Sequence, residues 1–339
     1  MDRVQSDIQE IIEKRELFES FSNSKFLITG ATGFIGSMLI RALVAADKKY
    51  ALKLKVVGMI RNIDKAKKVL NDVIDKIVLS STDDVIADYI IHTVSPTTSK
   101  FFIEKPVETI KSSVESTISM LEIAKKNNAK VVYLSSMEQY GIPYANDQTM
   151  TEEKIGTIDH LNVRSSYSES KRLCECLCAS YASEYGIDVK IARLAQTIGA
   201  GIPLTDSRMP MQFAKAIVYG EDIVLHTEGN SLSNFVYITD AIKGIFTILK
   251  KGEIGQAYNV CNDRETRSVR EIAELVCNKL ADGKINVKIN IQENMGYAPN
   301  VKMYLNSNKL IKLGWSPTIR MEDAYKRLKE YLLENKAIQ

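Results

Sequence analysis

The chain has 339 residues, 45% of them hydrophobic, enough for one large domain or two closely joined ones. Its 45 basic and 42 acidic side chains leave a formal charge of +3, a near balance with no electrostatic footprint for nucleic acid or a membrane surface. The opening MDRVQSDIQEIIEKRELFES is charged throughout, and no window approaches the roughly 18 apolar residues of a membrane span. A soluble, cytoplasmic protein is expected. The five cysteines and three histidines include no CxxC pair. They indicate reduced, buried thiols and no metal site.

Residues 4–21 carry Ile8, Ile11, Ile12, Leu17, Phe18 and Phe21 near helical spacing, which predicts an amphipathic helix ahead of the main fold. KFLITG (25–30) reads as a buried strand that stops at glycine, SMLIRALVAAD (37–47) as helix, and LKVVGMIRN (54–62) as strand. KAKKVLNDVID reads as helix and YIIHTVS (89–95) as strand. Residues 106–128 read as a long helix and AKVVYLSS (129–136) as strand. Residues 166–186 read as a helix ending in glycine, and IDVKIARLA (187–195) as strand. Strands alternating with helices predict an α/β fold, a doubly wound parallel sheet covered on both faces. Beyond 196 the pattern loosens. FVYITD (235–240) looks like one more sheet strand, followed by helices in AIKGIFTILKK and SVREIAELVCNKL and a last helix from about 321. The expected division is a helical extension over 1–24, a dinucleotide-binding domain over 25–196 with a returning strand near 235–240, and a smaller interleaved domain over 197–333.

TGATGFIG (29–36) supports the dinucleotide reading. Gly30, Gly33 and Gly36 lie between a predicted strand and a predicted helix, with Thr32, Phe34 and Ile35 among them. Such glycines allow a tight turn, let backbone approach a pyrophosphate, and bring helix and strand together. The helix N-terminus then offers free N–H groups to phosphate. At the end of the second strand a carboxylate would bind the adenosine ribose. GMIRN places Arg61 and Asn62 there instead, which favours NADP over NAD. KAKK (65–68) reads as a solvated helix face that lies near enough to extend a phosphate site.

RSSYSESKR (164–172) sets Tyr167 and Lys171 four apart, on one face of the predicted helix. VVYLSSMEQYG (131–141) brings Ser135, Ser136 and Glu138 to the carboxyl end of a strand, where ligands bind in open parallel sheets. Removing the hydroxyl proton of a carbinol needs a base, and a free phenol has a pKa of about 10. Lowering it to about 7 takes roughly 4 kcal/mol, and an ammonium at about 4 Å contributes on the order of 4 kcal/mol at an effective dielectric of about 20. Lys171 is therefore expected to activate Tyr167. Ser136 would hold the substrate oxygen, and Glu138 could move a second proton beside a 4-keto sugar. A non-catalytic dinucleotide-binding protein on the same fold is the alternative from another class. His92 reads as a scaffold histidine, His160 and His226 have no readable partner, Trp315 reads as packing, and Glu169 as a solvated helix residue.

Together these motifs resemble the extended short-chain dehydrogenase/reductase family, the NAD-dependent epimerase/dehydratase group acting on nucleotide sugars, from about residue 25 to 330. The resemblance implies a Rossmann sheet with a smaller C-terminal substrate-binding domain. It also implies a homodimer built through helices 106–128 and 166–185. Within the group the chain is similar to UDP-glucuronate decarboxylases. HTVSPTTS (92–99) resembles their His-x-x-Ser-Pro loop, which implies Ser95 beside the cofactor. SSMEQYG resembles Ser-Thr-Ser-Glu-Val-Tyr-Gly, and RSSYSESKR resembles Arg-Ser-x-Tyr-x-Glu-x-Lys-Arg, which brings in Arg164. DSRMPMQF (206–213) resembles an Asp-Gly-Arg segment, so Arg208 is implied at the nucleotide diphosphate. The implied reaction oxidises sugar C4, followed by decarboxylation, or alternatively 4-epimerisation, 4,6-dehydration or NADPH-dependent reduction of a 4-keto sugar. Departures from the pattern stand at Gln196, usually Asn in the substrate's phosphate path, at Ser233 and Asn234, where an arginine is usual, and at Arg61, where decarboxylases carry Asp. Met137 replaces the acidic proton donor of TDP-glucose dehydratases, which disfavours that reaction.

Overall fold

The computed structural model describes residues 1–292 and 301–335. Seven parallel strands form the central sheet: β1 (Lys25–Thr29), β2 (Lys55–Met59), β3 (Val78–Ser80), β4 (Tyr89–His92), β5 (Lys130–Ser136), β6 (Val189–Leu194) and β7 (Ala257–Val260). Their spatial order is β7-β6-β5-β4-β1-β2-β3, so the winding reverses between β1 and β4. The register Thr29↔His92 and His92↔Tyr133 aligns the carboxyl ends of β1, β4 and β5. Ligands of open α/β sheets bind at such a switch point.

Alternate residues of each strand feed two cores, because successive side chains point to opposite faces. Phe26, Ile28, Val132, Leu134 and Ala192 join one. That side is covered by α2 (Phe34–Tyr50) and α6 (Ile238–Lys251). Leu27, Ile90, Val131, Tyr133 and Val189 join the other with Met120, Leu121, Cys174 and Cys178. These last four lie on α3 (Pro106–Asn127) and α4 (Ser166–Tyr185), which pack against each other. All five cysteines are free thiols. Cys174, Cys178, Cys261 and Cys277 are buried, and Cys176 is exposed. Three helices, α5 (Met209–Tyr219), Val269–Leu280 and α7 (Met321–Asn335), pack on one another in the later part of the chain. Among the described residues no helix is long and apolar enough to cross a membrane.

The N-terminal helix α1 (Arg3–Ile11) is shorter than the apolar spacing suggested, and two short 3-10 turns complete the segment. It packs against α2, α6 and α7. Ile8, Ile11, Ile12, Phe18 and Phe21 are all buried in the main core. Asp7 is fully buried and accepts hydrogen bonds from Arg3 (2.8 Å), Arg327 (3.2 Å) and the Tyr237 hydroxyl (2.6 Å). Burial pushes its carboxyl up, against the pull of those partners.

Three strands differ from expectation. Phe235–Tyr237 pairs with Gln196–Ile198 in a separate two-stranded ladder, and the residues after it open α6. The seventh sheet strand is β7, paired with β6. β3 at the other edge had no sequence signal. Both edge strands are short, and pairing defines them more than pattern does.

Candidate active site

The glycine loop lies at the switch point. Gly30 has φ +65°, and a Cβ there would meet Thr93 Oγ1 at 2.6 Å. A Cβ on Gly36 would lie 2.3 Å from the Gly30 carbonyl oxygen, so the loop closes only with both glycines. Gly33 is the N-cap of α2, exposed and without a side-chain cap, which leaves the first helical N–H groups free for an anion. Thr32, Phe34 and Ile35 are partly exposed around it.

At the end of β4, the Ser95 hydroxyl oxygen is buried without a hydrogen-bond partner. An open helix start and an orphaned hydroxyl at one switch point fit a bound dinucleotide. His92 is buried, hydrogen bonded to Thr29 at 2.8 Å and stacked on Tyr133. Burial, aided by Lys171, pushes its pKa down to about 3, as suits a neutral scaffold. Past β2, Arg61 is exposed and makes no hydrogen bond or ion pair with the described residues. The Asn62 side chain is already engaged, capping the Ile63–Val69 helix by accepting from the Lys65 N–H at 2.9 Å.

Ser136 ends β5, Tyr167 opens α4, and Lys171 follows one turn later. Ser136 is near enough to the Tyr167 phenol to pull its pKa down, and the Lys171 Nζ lies 5.8 Å from the Tyr167 ring centre. The Tyr167 ring stacks on Phe102 with centroids 4.4 Å apart. Lys171 is buried and donates to the Leu134 carbonyl at 2.8 Å, its ammonium 4.9 Å from the Tyr133 ring centre. Glu138 accepts from Arg164 at 3.0 Å, and that guanidinium also lies over the Phe102 ring.

The electrostatics correct the expectation that Lys171 lowers the Tyr167 pKa. Burial first, then the Glu138 charge, push the phenol up to about 12, while Ser136, Arg208 and Arg164 pull the other way. Burial also pushes Lys171 down to about 8. The spacing brought the two groups together, but desolvation dominates both, and the cations that pull the phenol down are Arg208 and Arg164.

The remaining expected residues are placed as follows. Gln196 accepts from the Ser233 hydroxyl at 3.2 Å. Arg208 is held by Asp206, its Nε 3.1 and 3.0 Å from the two carboxylate oxygens. Ser135 does not point toward Tyr167. It donates to Glu175 at 2.5 Å, and Arg193 grips the same carboxylate through two nitrogens. Sequence reading missed that buried pair, the Phe102 stack, and Arg172, which donates to the carbonyls of Gln139, Tyr140 and Gly156 and so ties down the loop carrying Glu138. None has a local signal, because each partner is distant in sequence. A cleft of about 510 Å³ near Arg172, Glu175 and Arg193 is lined by none of Ser136, Tyr167 and Lys171.

Comparisons with known proteins agree with this fold. The profile of the NAD dependent epimerase/dehydratase family matches residues 26–261. UDP-glucuronic acid decarboxylase 6 of Arabidopsis thaliana is 29% identical over 317 residues, 91% of this chain and 89% of that protein. Two solved structures share the fold. One is a UDP-N-acetylglucosamine 4-epimerase from Methanobrevibacter ruminantium M1 in complex with UDP-N-acetylmuramic acid (TM-score 0.76, 20% identity, 94% of this chain and 100% of that one). The other is a UDP-glucuronic acid 4-epimerase from Bacillus cereus in complex with UDP-glucuronic acid and NAD (TM-score 0.75, 21% identity, 91% and 99%).

Proposed function

The chain belongs to the NAD dependent epimerase/dehydratase family, and from that premise we propose that it oxidises C4 of a nucleotide sugar, with UDP-glucuronate decarboxylation as the favoured outcome. It is an NAD(P)-dependent enzyme that modifies a nucleotide sugar. The observation that carries the reading is the gathering of Ser136, Tyr167 and Lys171 at the carboxyl end of β5. Gly33, the start of α2 and Ser95 would hold the dinucleotide, which when bound supplies the hydride acceptor and donor at C4.

Ser136 orients the C4 hydroxyl, and Tyr167 takes its proton. Arg208 and Arg164 are the cations that oppose the upward pull of burial on the phenol, and Lys171 stands one turn along the same helix. In a glucuronate a C4 ketone lies β to the C6 carboxylate. Carbon dioxide then leaves with its electron pair entering the C4 carbonyl, and the C5 carbon of the resulting enolate takes a proton. Glu138, which accepts a hydrogen bond from Arg164, is assigned the transfer of that second proton. Gln196 and Arg208 are assigned to the substrate's phosphates.

Arg61 supports a second reading, a reductase that consumes NADPH on a 4-keto sugar. Its unpaired guanidinium at the end of β2 suits a 2′-phosphate. The chain is further proposed to form a homodimer through α3 and α4, where Val107, Ile110, Ile118, Leu173 and Tyr185 are exposed on two adjacent helices.

The test is incubation of the purified protein with UDP-glucuronate and either NAD or NADP, read by mass spectrometry of the nucleotide sugar. A product lighter by carbon dioxide is expected. Unchanged substrate with both dinucleotides would overturn decarboxylation and favour epimerisation, dehydration or reduction of another nucleotide sugar.

A further inference from the structure

The family resemblance implies an arginine at the position of Ser233, with its guanidinium at the sugar or the phosphates of the substrate, and this chain lacks it there. The strand Leu232–Ser233 runs antiparallel to Arg267–Ser268, with Ser233 directly opposite Arg267. Residues opposite one another in such a pair project from the same face, with Cβ atoms about 4.5–5.5 Å apart. A guanidinium lost at one position can therefore be supplied from the other without moving the backbone. The Ser233 hydroxyl marks where that face leads. It donates to Gln196, which begins the short strand leaving the carboxyl end of β6.

Arg267 has charge and donors to spare. Its Nε is buried with no hydrogen-bond partner. Its Nη2 lies 3.3 Å from Glu265, and the same carboxylate takes Arg320 at 3.1 Å. Two guanidiniums on one carboxylate leave the trio with a net positive charge. Arg320 is 72% exposed, whereas Glu265 is 9% exposed. The excess charge and the unmet donor thus meet at Arg267, across from the serine that replaces the usual arginine.

We propose that Arg267 binds the diphosphate of the nucleotide sugar, in place of an arginine at position 233. This rests on the nucleotide-sugar reading given above. Guanidinium forks match phosphate oxygens with two parallel donors, and a hydrogen bond to a charged group is among the stronger ones. The exchange moves the cation by one strand and keeps it on the same face.

The test uses the dinucleotide-loaded protein and calorimetric titration with UDP, TDP, GDP and ADP. Arg267→Gln is expected to weaken the diphosphate that binds wild type by about 10- to 100-fold. Arg320→Gln removes the other partner of Glu265 and is expected to leave affinity unchanged. Glu265 keeps one guanidinium in either variant, so both are expected to fold. Ser233→Arg combined with Arg267→Ser is expected to recover most of the affinity. Equal binding by wild type and Arg267→Gln would overturn the assignment while leaving the nucleotide-sugar reading intact. An equal loss in Arg320→Gln, or no recovery in the double variant, would also overturn it. A wild type that binds none of the four diphosphates would overturn the nucleotide-sugar reading, and this inference with it.

Discussion

Replacing Lys171 by methionine separates the cost of a buried ammonium from its use. Lys171 is 2% exposed, and its one hydrogen bond among the described residues goes to the Leu134 carbonyl. Burial holds its pKa at about 8, below the ordinary 10.5, although Cys174, Glu175 and Cys178 pull it upward. Between those two values the unfolded chain binds more protons at this site than the folded one. Stability therefore rises with pH across that window. The gap between 10.5 and about 8 is worth roughly 3 kcal/mol. Methionine cannot titrate, and the other titrating groups largely cancel in the difference between the two proteins. Urea denaturation of the ligand-free proteins, from about pH 7 to about pH 11, measures it. Wild type is expected to gain on Lys171→Met by roughly 3 kcal/mol, nearly all of it above about pH 8. The constant offset at lower pH absorbs the lost bond to Leu134. A difference that stays flat across the window, or one in which wild type loses ground as pH rises, would refute the argument.

Gly36→Ala drives a methyl group to 2.3 Å from the Gly30 carbonyl. It is expected to cost about 1–3 kcal/mol and to abolish dinucleotide binding, read by thermal melts with and without NAD. Arg61→Ala is expected to weaken NADP relative to NAD by about 10-fold or more, read by titrating both, and an unchanged ratio would remove Arg61 from the cofactor site. Ile110→Glu together with Leu173→Glu places charge on the exposed faces of α3 and α4. Light scattering is expected to show a dimer for wild type and a monomer for the double variant.

What was legible in the sequence was local. Strand–helix alternation, the glycine spacing and the four-residue step from Tyr167 to Lys171 each depend on neighbours along the chain; the glycine loop stands at the switch point of the sheet, and the Tyr167–Lys171 step lies in α4. The edge strands were not legible, because Val78–Ser80 and Ala257–Val260 are short and gain their identity from pairing. FVYITD looked like a sheet strand because it is apolar, yet only three of its residues extend, and they pair outside the main sheet. The direction of the Tyr167 pKa was misread for a related reason. Spacing shows the lysine, but not the burial against Phe102 or the Glu138 charge. Arg267 is the plainest case, since only the register of two strands sets it across from Ser233.

The central claim is that Tyr167 drives oxidation at sugar C4. The most direct measurement offers UDP-glucuronate, UDP-glucose and UDP-N-acetylglucosamine, each deuterated at C4, to the dinucleotide-loaded protein, and follows the label by mass spectrometry. With at least one of these sugars in wild type, the account predicts deuterium on the dinucleotide when the reaction is quenched within one turnover, and none in Tyr167→Phe, which still binds the dinucleotide. Turnover in wild type with no deuterium on the dinucleotide at any time within the turnover, or equal label transfer in Tyr167→Phe, would contradict it.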